Sequence, residues 1–255
     1  MGARIVKNAK LNWVRLPIDN LENCRELGGY GTSEGEQTKW HAFLRSGEMS
    51  RLTPEDVAFL REYGVRTVID LRRSDEIEKH PNVLAGESFC RYHNIPLFGG
   101  QTAEGEVQWT GEISLGDVYV EWLEHSPAVK EIFEVISEAE EGTVVFHCQA
   151  GKDRTGVVAM LLLALAGVEE KDIVSNYEVT YTNLRSMLEK YAVDNKYGTE
   201  VLLSRREYIL KAYEHIMDNY QSVERYLMVR GVSEDVMERV KGRLVAESEP
   251  AALGV

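Results

Sequence analysis

The segment from Val144 to Gly156, VVFHCQAGKDRTG, carries the residues whose types and spacing could do chemistry. A β-branched run delivers Cys148, a short loop with Gly151 follows, Arg154 stands six residues after the cysteine, and an apolar stretch begins at once. If a strand precedes this loop and a helix follows it, the loop amides and the free amides of the first helical turn converge on one point, with the positive end of the helix dipole behind them. That arrangement is an anion cradle. Arg154 can add a bidentate fork to two oxygens of a tetrahedral oxyanion. The same field favours thiolate over thiol, which makes Cys148 a nucleophile seated beneath a bound phosphorus. The chemistry is phosphoryl transfer built without a metal or cofactor. A Walker-type nucleotide loop is excluded, because Gly151-Lys152 is followed by Asp153 rather than Ser or Thr, and no glycine stands five residues before Gly151.

A leaving phenolate or alkoxide needs a proton. Asp153, beside the clamp, is the first candidate donor, with a simple ion pair to a neighbouring Lys or Arg as the competing reading. After the strand that ends near Leu97, the stretch Phe98-Gly99-Gly100-Gln101 offers no carboxylate before Glu104. Asp117 is the reserve, on a glycine-containing segment that could reach over the pocket.

The elements that must position these groups are legible in outline. Thr53-Pro54-Glu55-Asp56 starts a helix, with a capping hydroxyl, proline at the first helical position and an acid three residues after the cap; Gly64 stops it. Val65–Leu71, Arg91–Leu97 and Thr143–His147 read as strands, the last, strongly β-branched, at the centre of the sheet. Strands alternating with helices predict an α/β fold, a central and mostly parallel sheet flanked by helices on both faces. Beyond Val168 the pattern turns helical. Ser204 and Glu207 read as a capping box opening a helix to about Tyr220, and Ser233 opens the last one after Gly231. Residues 172–220, rich in tyrosine, form a helical excursion expected to lie over the carboxyl edge of the sheet, where open α/β folds bind ligands.

The 255 residues, 44% hydrophobic and 28% charged, describe an ordinary globular chain without repeats or linkers, and one domain over 1–255 is the simpler organisation. The net charge of −13 comes from 42 acids against 29 Lys and Arg, and it disfavours nucleic acid and stable membrane association. Between Gln101 and Gly142 eleven acids face Lys130 alone, so this segment carries −10 of the −13. Val118, Trp122, Val129, Ile132, Phe133 and Ile136 recur there at helical spacing, which reads as a solvated acidic face on core-packed helices. Cys24, Cys90 and Cys148 show no metal-ligand or disulfide spacing. With no signal-peptide pattern and no apolar run long enough to span a bilayer, a cytoplasmic location is expected.

HCQAGKDRTG resembles the signature of the cysteine-dependent protein-tyrosine phosphatase superfamily, and is similar to its bacterial and fungal branch whose loop reads HCxxGKDRTG. The likeness continues through Asn23-Cys24-Arg25-Glu26-Leu27-Gly28-Gly29-Tyr30, Leu44-Arg45-Ser46-Gly47, Val68-Ile69-Asp70-Leu71-Arg72 and Asp172-Ile173-Val174-Ser175-Asn176-Tyr177. Tyr226-Leu227 and Gly231-Val232-Ser233 match the C-terminal helices. Cys24 and Glu26 replace Phe and Asp, and Asn176 stands where Asp is common. The resemblance implies a phosphocysteine on Cys148, Arg154 as the clamp, and Thr155 hydrogen-bonded to the thiolate to ease its departure. His147, Gln149, Ala150, Gly151 and Lys152 would form the phosphate-binding loop, with the His147 ring supporting it from behind. Arg25 and Arg72 are candidate substrate contacts, and Arg45 and Arg73 could approach the pocket; for each a surface ion pair is the competing reading.

The implied activity is phosphomonoester hydrolysis, with a phosphotyrosine protein or peptide as substrate. Lys152 suits a phosphoinositide or dual-specificity alternative, but Gln149 stands where strongly lipid-directed loops often carry a second lysine. A small phosphoester is also a possible substrate. A non-catalytic phosphopeptide-binding module would need only the cradle, and an arsenate reductase would need a resolving thiol near Cys148.

Overall fold

The computed structural model describes residues 7–98, 114–184 and 203–246. Thr53 opens α1 (Pro54–Tyr63) through a full capping box, and Gly64, at φ 103°, closes it in the left-handed conformation. The chain turns directly into β3 (Val65–Asp70), a buried β-branched strand. With β1 (Arg25–Glu26), β2 (Phe43–Ser46), β4 (Arg91–Asn94) and β5 (Thr143–His147) it makes a five-stranded sheet in the order β1-β2-β5-β3-β4. Only β1 runs antiparallel to its neighbour; β2, β5, β3 and β4 pair in parallel. The predicted strand Thr143–His147 is the central one.

Alternation along the strands divides the interior in two. Leu44, Val68 and Val145 pack on one face with Phe59, Leu60 and Tyr63 of α1. Phe43, Ile69, Val144 and Phe146 face the larger core, built around α5 (Asp153–Leu165). Ten residues of α5 are buried, on every side of the helix. It is therefore a central helix rather than an amphipathic surface one, with each buried Val or Leu contributing about 1.5–3 kcal/mol. Around it lie α3 (Leu115–His125), α6 (Glu170–Asn183), α7 (Arg206–Tyr220), α8 (Val223–Val229) and α9 (Glu234–Leu244).

The acidic segment folds as expected where it is described. Ser126 and Pro127 break it into α3 and α4 (Ala128–Glu138), which bury Val118, Val129, Ile132, Phe133 and Ile136 and leave Trp122 half-buried. Glu121, Glu131, Glu138, Glu140 and Glu141 are exposed. Glu104, Glu106, Glu112, Gly99–Gln101, and Tyr191 and Tyr197 of the expected excursion lie outside the described residues. One predicted cap is corrected. Helix α7 starts at Arg206 after Arg205, and Ser204 instead donates its hydroxyl to the Glu178 carbonyl at 3.0 Å, tying α7 to α6.

The parallel register sets Ser46, His147 and Asp70 side by side at the carboxyl edge of β2, β5 and β3. Everything that follows those three residues in sequence converges there.

Candidate active site

Cys148 is the first residue after β5, and the loop Cys148–Lys152 leads straight into α5. Each carbonyl of this loop is tied to the scaffold. The Cys148 oxygen lies 3.1 Å from His147 Nδ1, and the Gln149 oxygen accepts from the Glu48 amide at 3.0 Å. Asn23 Nδ2 donates to the Ala150 and Gly151 oxygens at 3.1 and 2.8 Å. Arg45 Nη2 donates to those of Gly151 and Lys152 at 2.9 and 3.3 Å. Because a trans peptide sets its N–H opposite its C=O, anchoring the carbonyls of 148–152 turns the amides of 149–153 the other way.

Gly151 is what lets the loop fold so tightly against β2. At φ 67° a side chain there would be strained, and a Cβ would stand 2.4 Å from the Ser46 oxygen. The His147 ring is fully buried behind the loop. Its Nδ1 donates to the Cys148 carbonyl, so Nε2 is left to accept from Asn82 Nδ2 at 2.8 Å, whose Oδ1 is in turn fixed by the Leu84 amide.

Arg154, in the first turn of α5, is held by α2 (Ser74–Lys79). Its Nη1 and Nη2 reach Glu76 Oε2 and Oε1 at 2.6 and 2.7 Å, and Nη1 also donates to the Leu71 oxygen at 3.3 Å. Burial works against the Arg154 charge, but Glu76, with Cys148 and Asp153 nearby, outweighs it and holds the guanidinium more firmly protonated than usual. For Glu76 burial likewise opposes ionisation, and Arg154 wins, keeping the carboxyl below its ordinary value.

Asp153, a quarter exposed, meets a tyrosine and a lysine. Tyr119 of α3 donates its hydroxyl to Oδ1, and Lys152 Nζ lies 3.3 Å from the same oxygen. Tyr119 also shares a 2.7 Å hydrogen bond with Tyr177 of α6. Burial and the adjacent carboxylate push the Tyr119 phenol well up, so it stays a hydrogen-bond donor.

The model of the tyrosine phosphatase family matches residues 16–246, which takes in every strand of the sheet and the whole loop. The chain belongs to that family. A tyrosine-protein phosphatase of Nostoc commune is 43% identical over 141 residues, 54% of this chain; the aligned stretch spans about half of that relative, 48% of its length. The triple specificity protein phosphatase PtpB of Mycobacterium tuberculosis is 26% identical over 249 residues, covering 79% of this chain and 90% of the relative. Among solved structures, TpbA of P. aeruginosa is similar over 74% of this chain and 86% of its own, at 16% identity and a TM-score of 0.38.

Within this family loop, the structure brings Cys148, Arg154, Asp153 and the loop residues together, and sets the other candidates elsewhere. Arg72 is a correction. It is fully buried, donates from Nε and Nη2 to the two Asp70 oxygens at 2.9 and 2.7 Å, and from Nη1 to the His80 oxygen at 2.9 Å. Burial of Asp70 favours its neutral form, but the two bonds from Arg72 outweigh it and hold the carboxyl well below the usual range. Arg25 is likewise not at the surface: it is 3% exposed and uses its donors on Asn23, Asn176 and Thr180. Both arginines lie inside the frame around the loop. Asp117 lies in the first turn of α3, where it caps the helix with Ser114 and pairs with Lys211 at 2.5 Å; those bonds hold its carboxyl low. The expected bond from Thr155 to Cys148 is not formed, and the buried Thr155 hydroxyl has no hydrogen-bond partner among the described residues.

Residues that sequence reasoning left without a role are Glu76, Asn23, Tyr119, Asn82 and Asn176. Glu76 carried a signal, since an acid three residues after Arg73 marks a helix start, but nothing in the sequence ties it to Arg154. Among the described residues no group of three or more His, Cys, Asp or Glu side chains could hold a metal ion.

Proposed function

We propose that this chain is a protein-tyrosine phosphatase that hydrolyses phosphomonoesters through a phosphocysteine intermediate. The observation that carries this reading is the tethering of all the loop carbonyls from Cys148 to Lys152, which leaves a ring of amides over the thiol with Arg154 at its rim. Such a ring binds three phosphoryl oxygens better the more negative they become, and so stabilises the transition state over the ground state.

Cys148 attacks phosphorus as the thiolate while the bond to the leaving oxygen breaks, and Asp153 gives that oxygen its proton. Asp153 then takes a proton from water, the water oxygen bonds to phosphorus, and the sulfur leaves as thiolate. Thr155, whose hydroxyl is unengaged among the described residues, donates to that sulfur as its charge returns. Lys152 Nζ is engaged with Asp153 and with the Leu203 oxygen at 3.0 Å, which supports a phosphotyrosine substrate over a phosphoinositide. The family match over 16–246 supports a single phosphatase domain, and the free state of all three cysteines suits a reducing, cytoplasmic setting.

The test is steady-state turnover of a phosphotyrosine peptide, a phosphothreonine peptide and short-chain phosphoinositides by the native chain and by Cys148→Ser. The expected result is preferred hydrolysis of phosphotyrosine, abolished by the substitution. Turnover that survives it would overturn the thiolate mechanism, and a binding-only module would show no turnover in either protein.

A further inference from the structure

Two arginines sit behind the phosphate loop, Arg45 fully buried and Arg25 3% exposed. Neither has a carboxylate partner among the described residues. Arg45 donates to Asn176 Oδ1 at 2.6 Å and to the Gly151 and Lys152 oxygens. Arg25 donates to the Asn23 and Asn176 main-chain oxygens at 3.1 and 2.7 Å, to Asn23 Oδ1, and to Thr180 Oγ1 at 2.9 Å. Every acceptor is neutral. The contrast with Arg72, fully buried, and Arg154, half-buried, is direct, because those two guanidiniums at the same sheet edge each hold a carboxylate at two points.

A buried charge without a counter-ion is costly, and two of like sign facing each other cost more. The titratable groups that act most strongly on Arg45 are Cys148, Tyr30, Tyr177 and Tyr119, and those on Arg25 are Arg45, Tyr30, Cys24 and Arg15. The phenols are neutral at ordinary pH, and burial pushes the Cys24 thiol up, so it stays protonated. Asp153, the carboxylate that reaches the same tyrosines, is held by Tyr119 and Lys152, so an oxyanion bound above Cys148 is the negative charge the two arginines would face. Burial brings Arg45 down to about 10, which leaves it a cation at neutral pH.

We infer that Arg25 and Arg45 form a cationic base beneath the phosphate loop whose counter-ion is the bound oxyanion, with neutral Asn176 between them keeping that charge uncompensated. The pair touches no substrate; it positions the loop carbonyls and sets the potential at the anion site. This rests on the cradle reading above. It goes beyond it by making Asn176 a residue that tunes oxyanion affinity against the stability of the empty protein.

The test is Asn176→Asp, which places a carboxylate where Oδ1 already meets Arg45 while Tyr30 can turn its hydroxyl to donate. Inorganic phosphate binding is measured by calorimetry, and thermal stability without phosphate by melting. Asn176→Asp is expected to melt higher than the native chain yet bind phosphate about tenfold more weakly, as one opposing charge at partly screened range would do. Asn176→Ala, which removes the bond and adds no charge, is expected to melt lower and change phosphate affinity less than threefold. Should Asn176→Asp fail to fold, Thr180→Asp sets the same charge beside Arg25 and is expected to weaken phosphate binding in the same direction. Unchanged affinity in the folded aspartate variant overturns the inference alone, as does an equal loss in Asn176→Ala. A native chain that binds no phosphate overturns the cradle reading and this one with it.

Discussion

Glu76 meets Arg154 with both oxygens and also accepts from the Arg73 amide at 2.9 Å. One carboxylate thus fixes the start of α2 and the plane of the clamp together. Since α2 follows β3 and α5 follows β5, the ion pair joins the helices that leave two adjacent parallel strands. Glu76→Gln keeps one hydrogen bond and loses the charge. Its expected effect is a fall in kcat/KM of about ten- to a hundredfold, the scale on which a misplaced reacting group is felt. Turnover kinetics check it, and a loss under twofold would mean that the clamp orients itself.

Asp153 and Tyr119 should act as a unit. Asp153→Asn is expected to slow esters with poor leaving groups, such as alkyl phosphates, by about a hundredfold or more, and to slow p-nitrophenyl phosphate far less, because that phenolate needs little protonation. Tyr119→Phe removes the hydroxyl that holds Oδ1 and should give the same leaving-group dependence at smaller amplitude. Equal losses on both substrates would exclude Asp153 as the proton donor.

Glu26 gives the fold a pH dependence of its own. It is 3% exposed, with Oε1 accepting from Tyr63 and the His41 amide at 2.6 and 2.9 Å. Burial outweighs those bonds and pushes its carboxyl up to about 7. In the unfolded chain it ionises near 4.3, so between these values the folded state binds the extra proton and stability falls as pH rises. Below about pH 4 both states are protonated and the penalty vanishes. Glu26→Gln is therefore expected to stabilise the protein at pH 8 by about 1–3 kcal/mol and to leave it unchanged at pH 4. Denaturant unfolding at the two values checks this; a gain that is the same at both would place the cause elsewhere.

The strands β3 and β5, the helix α5 and the loop between them were legible because each is a long apolar or β-branched run ended by a glycine or a charge. Strand β2 was not. Its FLRS puts Arg45 in a fully buried position, and no pattern of hydropathy marks an arginine as interior. Helix α2 was missed for the opposite reason, since its six residues SDEIEK bury nothing and resemble a solvated turn. Ser204 failed as a cap because its hydroxyl found a tertiary partner on α6, a competitor that local sequence does not display. The site followed the same rule: Cys148, Asp153 and Arg154 are adjacent in the chain and could be read together, whereas Glu76, Tyr119 and Asn23 reach the loop only through the sheet and the helices.

The division of the interior by the sheet also governs what oxidants can do to this protein. Cys148 belongs to the core around α5, while Cys24 is buried in the other core and Cys90 packs against that same side. A sulfenic acid formed on Cys148 would therefore lie across the sheet from the chain's other two thiols, an arrangement that disfavours an internal disulfide. The reversible fates open to it are then capping by a thiol brought from outside or closure on a backbone nitrogen of the loop.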